Sequence, residues 1–144
     1  ALIIEDYFKK YPGIQNYIDS TLDKVREKKY VKTILGRKRP IGDINSNNSL
    51  VRKAAERMAI NMPIQGSAAE MIKLAMTNIQ NEIISRKLES KLVLQIHDEL
   101  LFEFPDNEEE ILVKLVIDKM EHAMKLAVPV LVDYGIGRSW YDAH

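Results

Sequence analysis

Ile14, Tyr17, Ile18, Leu22 and Val25 recur at steps of three and four, which predicts an amphipathic helix over residues 13 to 28 behind Pro12. A shorter helix is expected before it. Residues 30 to 35, then Gly36 and Arg37-Lys38-Arg39, predict a strand, a turn and a return strand ending near Pro40, with the basic triplet near the tip. Residues 40 to 48 are rich in Gly, Asn, Asp and Ser and predict a loop, with Ser49 as N-cap of the next helix. Ala54, Ala55, Met58, Ala59 and Met62 keep a helical period until Pro63 and Gly66 interrupt it. Ser67 and Glu70 have the spacing of a capping box. Met71, Ile72, Ala75, Met76, Ile79 and Ile83 then continue an amphipathic pattern. Residues 50 to 88 are thus expected as two helices meeting at a kink. Two short apolar runs, 92 to 96 and 100 to 104, flank His97-Asp98-Glu99 and predict a hairpin. The runs are nearly continuous, as in strands covered by helices on at least one face. Asp106 or Asn107 is expected to cap a helix of about 108 to 126, and residues 130 to 136 to form a final strand. The sum is an α+β fold, helices packed on a small, mostly antiparallel sheet.

A length of 144 residues suits one domain that can bury a core without staples. Lys plus Arg and Asp plus Glu are 21 each, yet the charges are segregated. Lys24, Arg26, Lys28, Lys29, Lys32, Arg37, Lys38 and Arg39 face one acid, Glu27, over residues 24 to 39, whereas residues 98 to 110 hold seven acids and no base. The absence of cysteine excludes disulfides and thiolate chemistry. No apolar run reaches the roughly 18 to 20 residues of a membrane span, and the first residues lack signal-peptide order. A soluble intracellular protein without a membrane partner is the expectation.

Three features carry candidate chemistry. Asp98 and Glu99 place adjacent carboxylates where a hairpin would otherwise take turn residues such as Asn-Gly. A hard cation such as Mg²⁺, which is held by one or two carboxylates plus phosphates, would neutralise them; a solvated acidic turn is the alternative. A histidine-aspartate phosphohydrolase would need further histidines, and only His122 and His144 remain. Arg57, Asn61 and Gln65, four apart, would align on one face if the helix runs past Pro63. Such a row suits the shared acceptors of a nucleic-acid minor groove, and equally a solvated helix face. The basic triplet of residues 37 to 39 could contact phosphates. Gly135-Ile136-Gly137 is no dinucleotide loop, since Trp140 occupies the third glycine position and no second strand follows. The helically spaced methionines are most simply core.

In their order, Tyr7-Phe8 with Tyr11-Pro12, the Gly36-Arg37-Lys38-Arg39 turn, the run from Ala54 through Arg57, Asn61 and Gln65 to Gly66, and Gln95-Ile96-His97-Asp98-Glu99-Leu100 resemble the C-terminal blocks of family A DNA polymerases. Gly135-Ile136-Gly137, Trp140 and Ala143-His144 resemble that family's C-terminus. The resemblance spans the chain. It implies template-directed nucleotidyl transfer to a primer 3′-hydroxyl by two Mg²⁺ ions, in DNA replication and repair. Asp98 would be a metal-binding catalytic aspartate, Glu99 its supporting carboxylate, and His97 a contact to the primer end. Arg57, Asn61 and Gln65 would lie along the minor groove of the nascent duplex, and Arg39 near the primer-template backbone. The implied partners are primer-template DNA and deoxynucleoside triphosphates, in the cytoplasm at the nucleoid or in an organelle. Residues 1 to 48 would be fingers-side helices and the basic hairpin, and residues 49 to 144 the palm part. No segment resembles the family's first catalytic aspartate or its nucleotide-gripping helix, so a C-terminal fragment inactive alone is expected. A non-catalytic DNA-binding or scaffold module, using Asp98 and Glu99 only as a turn, is the competing reading.

Overall fold

The computed structural model describes residues 2 to 143; Ala1 and His144 lie outside them. The chain forms two compact units, residues 1 to 68 and 69 to 144. In the first unit, helix α1 (Leu2–Lys10) and helix α2 (Pro12–Lys28) precede strands β1 (Tyr30–Lys32) and β2 (Lys38–Pro40). Pro12 starts α2 because its missing N–H and fixed φ suit a first helical position. The helix ends where Lys29 takes φ 62° and returns its N–H to the Val25 carbonyl. β1 and β2 pair antiparallel, Val31 opposite Arg39 and Lys32 opposite Lys38. Gly36, at φ 88°, closes the turn, donating its N–H to the Thr33 carbonyl. Val25, Val31, Ile41, Ile44, Ala55 and Ala59 form this unit's core.

Residues 50 to 88 are not two helices. One helix, α3 (Ser49–Arg86), runs through Pro63 and supplies residues to both units. Proline removes an N–H donor and pushes back the preceding turn, loosening carbonyls there. The Tyr17 hydroxyl donates to the Ile60 carbonyl, next to the Ala59 carbonyl that loses its donor, at 2.9 Å, and so ties α2 to the turn before Pro63. Burial raises the Tyr17 pKa, keeping the hydroxyl a donor. The capping box is also absent. Ser67 and Glu70 are buried inside the helix, and Ser67 Oγ donates to the Pro63 carbonyl at 2.5 Å. The cap of α3 is Asn48, not Ser49: its Oδ1 accepts from the Leu50 and Val51 N–H groups.

In the second unit, β3 (Lys91–Ile96) and β4 (Glu99–Glu103) form an antiparallel hairpin. The register slips between Leu92 and Leu94, a bulge that leaves Val93 and Leu94 both exposed. Helix α4 (Glu109–Glu121) follows a short 3₁₀ turn, Asp106–Glu108. It ends at His122, short of the expected residue 126, and the residue at its N-cap is Glu108 rather than Asp106 or Asn107. Ala75, Ile79 and Ile83 of α3 pack on Leu112 and Leu115 of α4, with Leu100 and Phe102 of β4 against them. The α+β class holds, with two separate two-stranded sheets in place of one. The expected strand over 130 to 136 is not formed: a strand needs a ladder, and the Val132 N–H goes instead to Glu121 Oε1 at 3.1 Å. A last short helix, α5 (Trp140–Ala143), follows.

Glu108 ties the entry of β3 to the start of α4. Its carboxylate accepts from the Glu89 and Ser90 N–H groups, each at 2.9 Å, and from Ser90 Oγ at 2.5 Å. The Ser90 hydroxyl, then the Glu89 N–H, hold its pKa below the ordinary glutamate range against the opposing effect of burial. A depressed folded pKa adds stability that is complete above the unfolded value and is lost as pH falls through the folded one. Glu108→Gln should therefore lower Tm at pH 7, and the gap to the parent should begin to narrow as melts are taken below about pH 4, the unfolded carboxylate range, and close only once pH falls below the folded value. A gap independent of pH would show that the charge is not what Ser90 and Glu89 stabilise.

Candidate nucleic-acid and metal site

The predicted residues fall in two sets, one in each unit. In the first unit, Arg57, Asn61 and Gln65 are all exposed on α3. Because the helix passes through Pro63 without ending, their spacing of four puts them on one continuous face. Ala55 and Ala59 are buried on its core side. Guanidinium and amide groups along one stripe can donate to acceptors repeated along a duplex groove. Arg26, held by Glu56 at 3.0 Å, braces α2 against the first turns of that helix.

The basic hairpin is locked to α3 by a small polar node. Thr33, 5% exposed, accepts the Arg37 N–H on Oγ1 at 3.0 Å and donates its own N–H to the Arg37 carbonyl at 3.0 Å. The next residue, Ile34, donates its N–H to Ser67 Oγ at 2.9 Å. That hydroxyl in turn donates to Pro63 O, so hairpin backbone, Ser67 and the proline turn form one chain. Gly66 permits the approach: a Cβ built there would lie 2.8 Å from Thr33 Cγ2. The backbone of the hairpin that carries Arg37 and Arg39 is thereby fixed to α3 by buried contacts. Sequence reasoning missed Thr33, Gly66 and Ser67 as positioning residues. Gly66 inside a helical pattern was the available signal, since a glycine there marks close approach.

In the second unit, His97 and Asp98 are the two-residue turn between β3 and β4, and Glu99 is the first residue of β4, paired with Ile96. His97 sits at φ 53°, a left-handed conformation that costs a non-glycine residue roughly 1–2 kcal/mol. The turn is held by Gln95, whose Nε2 donates to the His97 carbonyl at 2.9 Å. Strain retained at a two-residue tip fixes where the following carboxylate projects. Asp98 is exposed, and among the described residues it makes no ion pair or side-chain hydrogen bond. No group of three or more His, Asp or Glu side chains gathers among the described residues. Two adjacent carboxylates do not make a closed metal cage, but they fit Mg²⁺, which keeps waters and completes its shell with substrate phosphates.

A family model described as DNA polymerase family A matches residues 1–142. The chain is 47% identical over 143 residues to DNA polymerase I of Bacillus caldotenax, covering 99% of this chain and 16% of that protein. It is 47% identical over 140 residues to DNA polymerase I of Lactococcus lactis subsp. cremoris, with 97% and 16% covered. The chain therefore spans about 16% of the length of these relatives. Among solved structures it is similar to the POL domain of Pol1 from M. smegmatis in complex with DNA primer-template and dNTP. That likeness has a TM-score of 0.94 and 45% identity, over 97% of this chain and 25% of the other. No helix among the described residues is long and apolar enough to cross a membrane.

Proposed function

The chain belongs to DNA polymerase family A, and from that premise we propose that it forms part of a DNA-directed DNA polymerase acting on primer-template DNA and deoxynucleoside triphosphates. The observation that carries this reading is the His97-Asp98 tip, a strained turn presenting an exposed, unengaged carboxylate. We assign residues 1 to 48 to the fingers side with the basic hairpin and residues 49 to 144 to the palm part.

Divalent metals are general in this family, and here Asp98 with Glu99 would hold Mg²⁺. Bound there, Mg²⁺ would supply charge neutralisation of the triphosphate and activation of the primer hydroxyl. The protein's own groups do the positioning. Asp98 and Glu99 contribute negative charge at a two-residue hairpin turn, with Gln95 bonded to the His97 carbonyl of that turn. His97 offers an imidazole beside them for the primer end. Arg57, Asn61 and Gln65 donate to minor-groove acceptors, which are shared between base pairs and so report pair shape more than sequence. Arg39 adds a phosphate contact that orients without reading bases.

A two-metal site needs more ligands than this pair, and no larger group is present among the described residues. The 144 residues alone should therefore leave a primer unextended in Mg²⁺ and all four nucleotides, while the full-length protein extends it. Extension by the short chain would overturn the split-site reading. Failure of both chains to extend would favour a DNA-binding module without catalysis.

A further inference from the structure

The alternation of the basic hairpin separates its charges between two faces. Arg39 lies opposite buried Val31, whereas Lys32 lies directly opposite Lys38 on the other face, which Tyr30 shares. Two like charges at one cross-strand position repel. Both ammonium groups instead converge on one aromatic ring, Lys38 Nζ 4.8 Å and Lys32 Nζ 5.8 Å from the Tyr30 centroid. The ring face attracts cations, but it removes no charge. Both lysines are exposed, and among the described residues neither forms an ion pair. The result is two cations, paired across the strands and both within 5.8 Å of one ring centroid, without an anion.

We propose that Lys32 and Lys38, seated on Tyr30, form a clamp for a phosphodiester of the bound nucleic-acid strand, separate from the face that carries Arg39. The inference rests on the DNA-polymerase reading above and adds a backbone contact to it. A phosphodiester fits because one monoanionic group with two free oxygens can accept from both ammonium groups and relieve their repulsion. Lysines contacting phosphates contribute affinity and salt dependence without sequence preference.

The test uses the full-length protein with Lys32→Gln and Lys38→Gln combined, and Lys24→Gln on the exposed surface of α2 as control. Binding of a primer-template duplex is measured by fluorescence anisotropy across a salt series. Loss of the one clamped phosphate should lower the slope of log K against log salt by about 0.9, so a fourfold rise in salt costs the variant roughly three- to fourfold less affinity than the parent. The control should keep the parental slope, and the Tm of the double variant should stay at the parental value. An unchanged slope overturns the proposal, whether Tm falls, as it would if the lysines only brace the hairpin, or holds. A raised KM for nucleotide with an unchanged slope also overturns it, assigning the pair to the triphosphate. A lowered slope in a protein whose synthesis survives Asp98→Ala would keep the clamp while removing the catalytic reading. A parent that binds no DNA would remove both.

Discussion

Asp98→Ala in the full-length protein is expected to lower kcat for primer extension by on the order of 10²–10³-fold, with duplex binding and Tm nearly unchanged. The split between the readouts follows from where the carboxylate sits. Asp98 is exposed and engages no other side chain among the described residues, so its removal leaves no buried partner unsatisfied and opens no cavity. The turn's backbone is fixed by the β3–β4 ladder and by Gln95 Nε2 on the His97 carbonyl, neither of which needs the Asp98 side chain. What is lost is negative charge at a fixed point, which matters only where charge moves in the transition state. Asp98→Asn keeps size and polarity, and it should lose nearly as much activity. Single-turnover extension, duplex binding and thermal melts on the three proteins check the prediction. Undiminished synthesis by Asp98→Ala would reduce the tip to a solvated acidic turn, and a large drop in Tm would make its role structural.

Gly66→Val is expected to destabilise the protein by about 1–3 kcal/mol, the cost of overpacking a close contact, and to weaken duplex binding with it. Helix propensity alone argues the reverse, because glycine inside a helix costs roughly 1 kcal/mol relative to alanine. The contact decides the sign. An added Cβ would meet Thr33 Cγ2 at 2.8 Å and Met62 Cε at 3.3 Å. Met62 can bend away; Thr33 cannot turn without taking its Oγ1 from the Arg37 N–H. The hairpin must therefore shift, and with it the Ile34 N–H on Ser67 Oγ and the placement of Arg37 and Arg39. Urea denaturation of Gly66→Val, with Thr33→Ala alone and combined, separates the sources. If the clash is the cause, removing Cγ2 recovers part of the loss in the double variant and the cycle shows coupling. Additive effects, or a Gly66→Val protein as stable as the parent, would show that the hairpin yields freely.

The elements whose signals are local were legible in the chain. The apolar period of residues 13 to 28 and the two apolar runs around His97-Asp98-Glu99 correspond to α2 and to the β3–β4 hairpin, because side-chain periodicity and turn spacing depend only on neighbouring residues. The α+β class and the exposure of Arg57, Asn61, Gln65, Asp98 and Glu99 followed from the same patterns. Tertiary structure decided what rests on distant partners. Pro63 and Gly66 read as a break, yet Tyr17, 43 residues before Ile60, supplies a hydrogen bond to its carbonyl, and Thr33 fills the space that Gly66 leaves. Ser67 and Glu70 have the spacing of a cap, but burial turned Ser67 toward Pro63 and the hairpin. Residues 130 to 136 have strand composition and no strand, because a ladder requires a second backbone in register and Glu121 took the Val132 N–H instead. The pairing of Lys32 with Lys38 over Tyr30 came from strand register, which composition does not encode: a basic segment declares its charge along the chain, and only the fold sets which charges share a face.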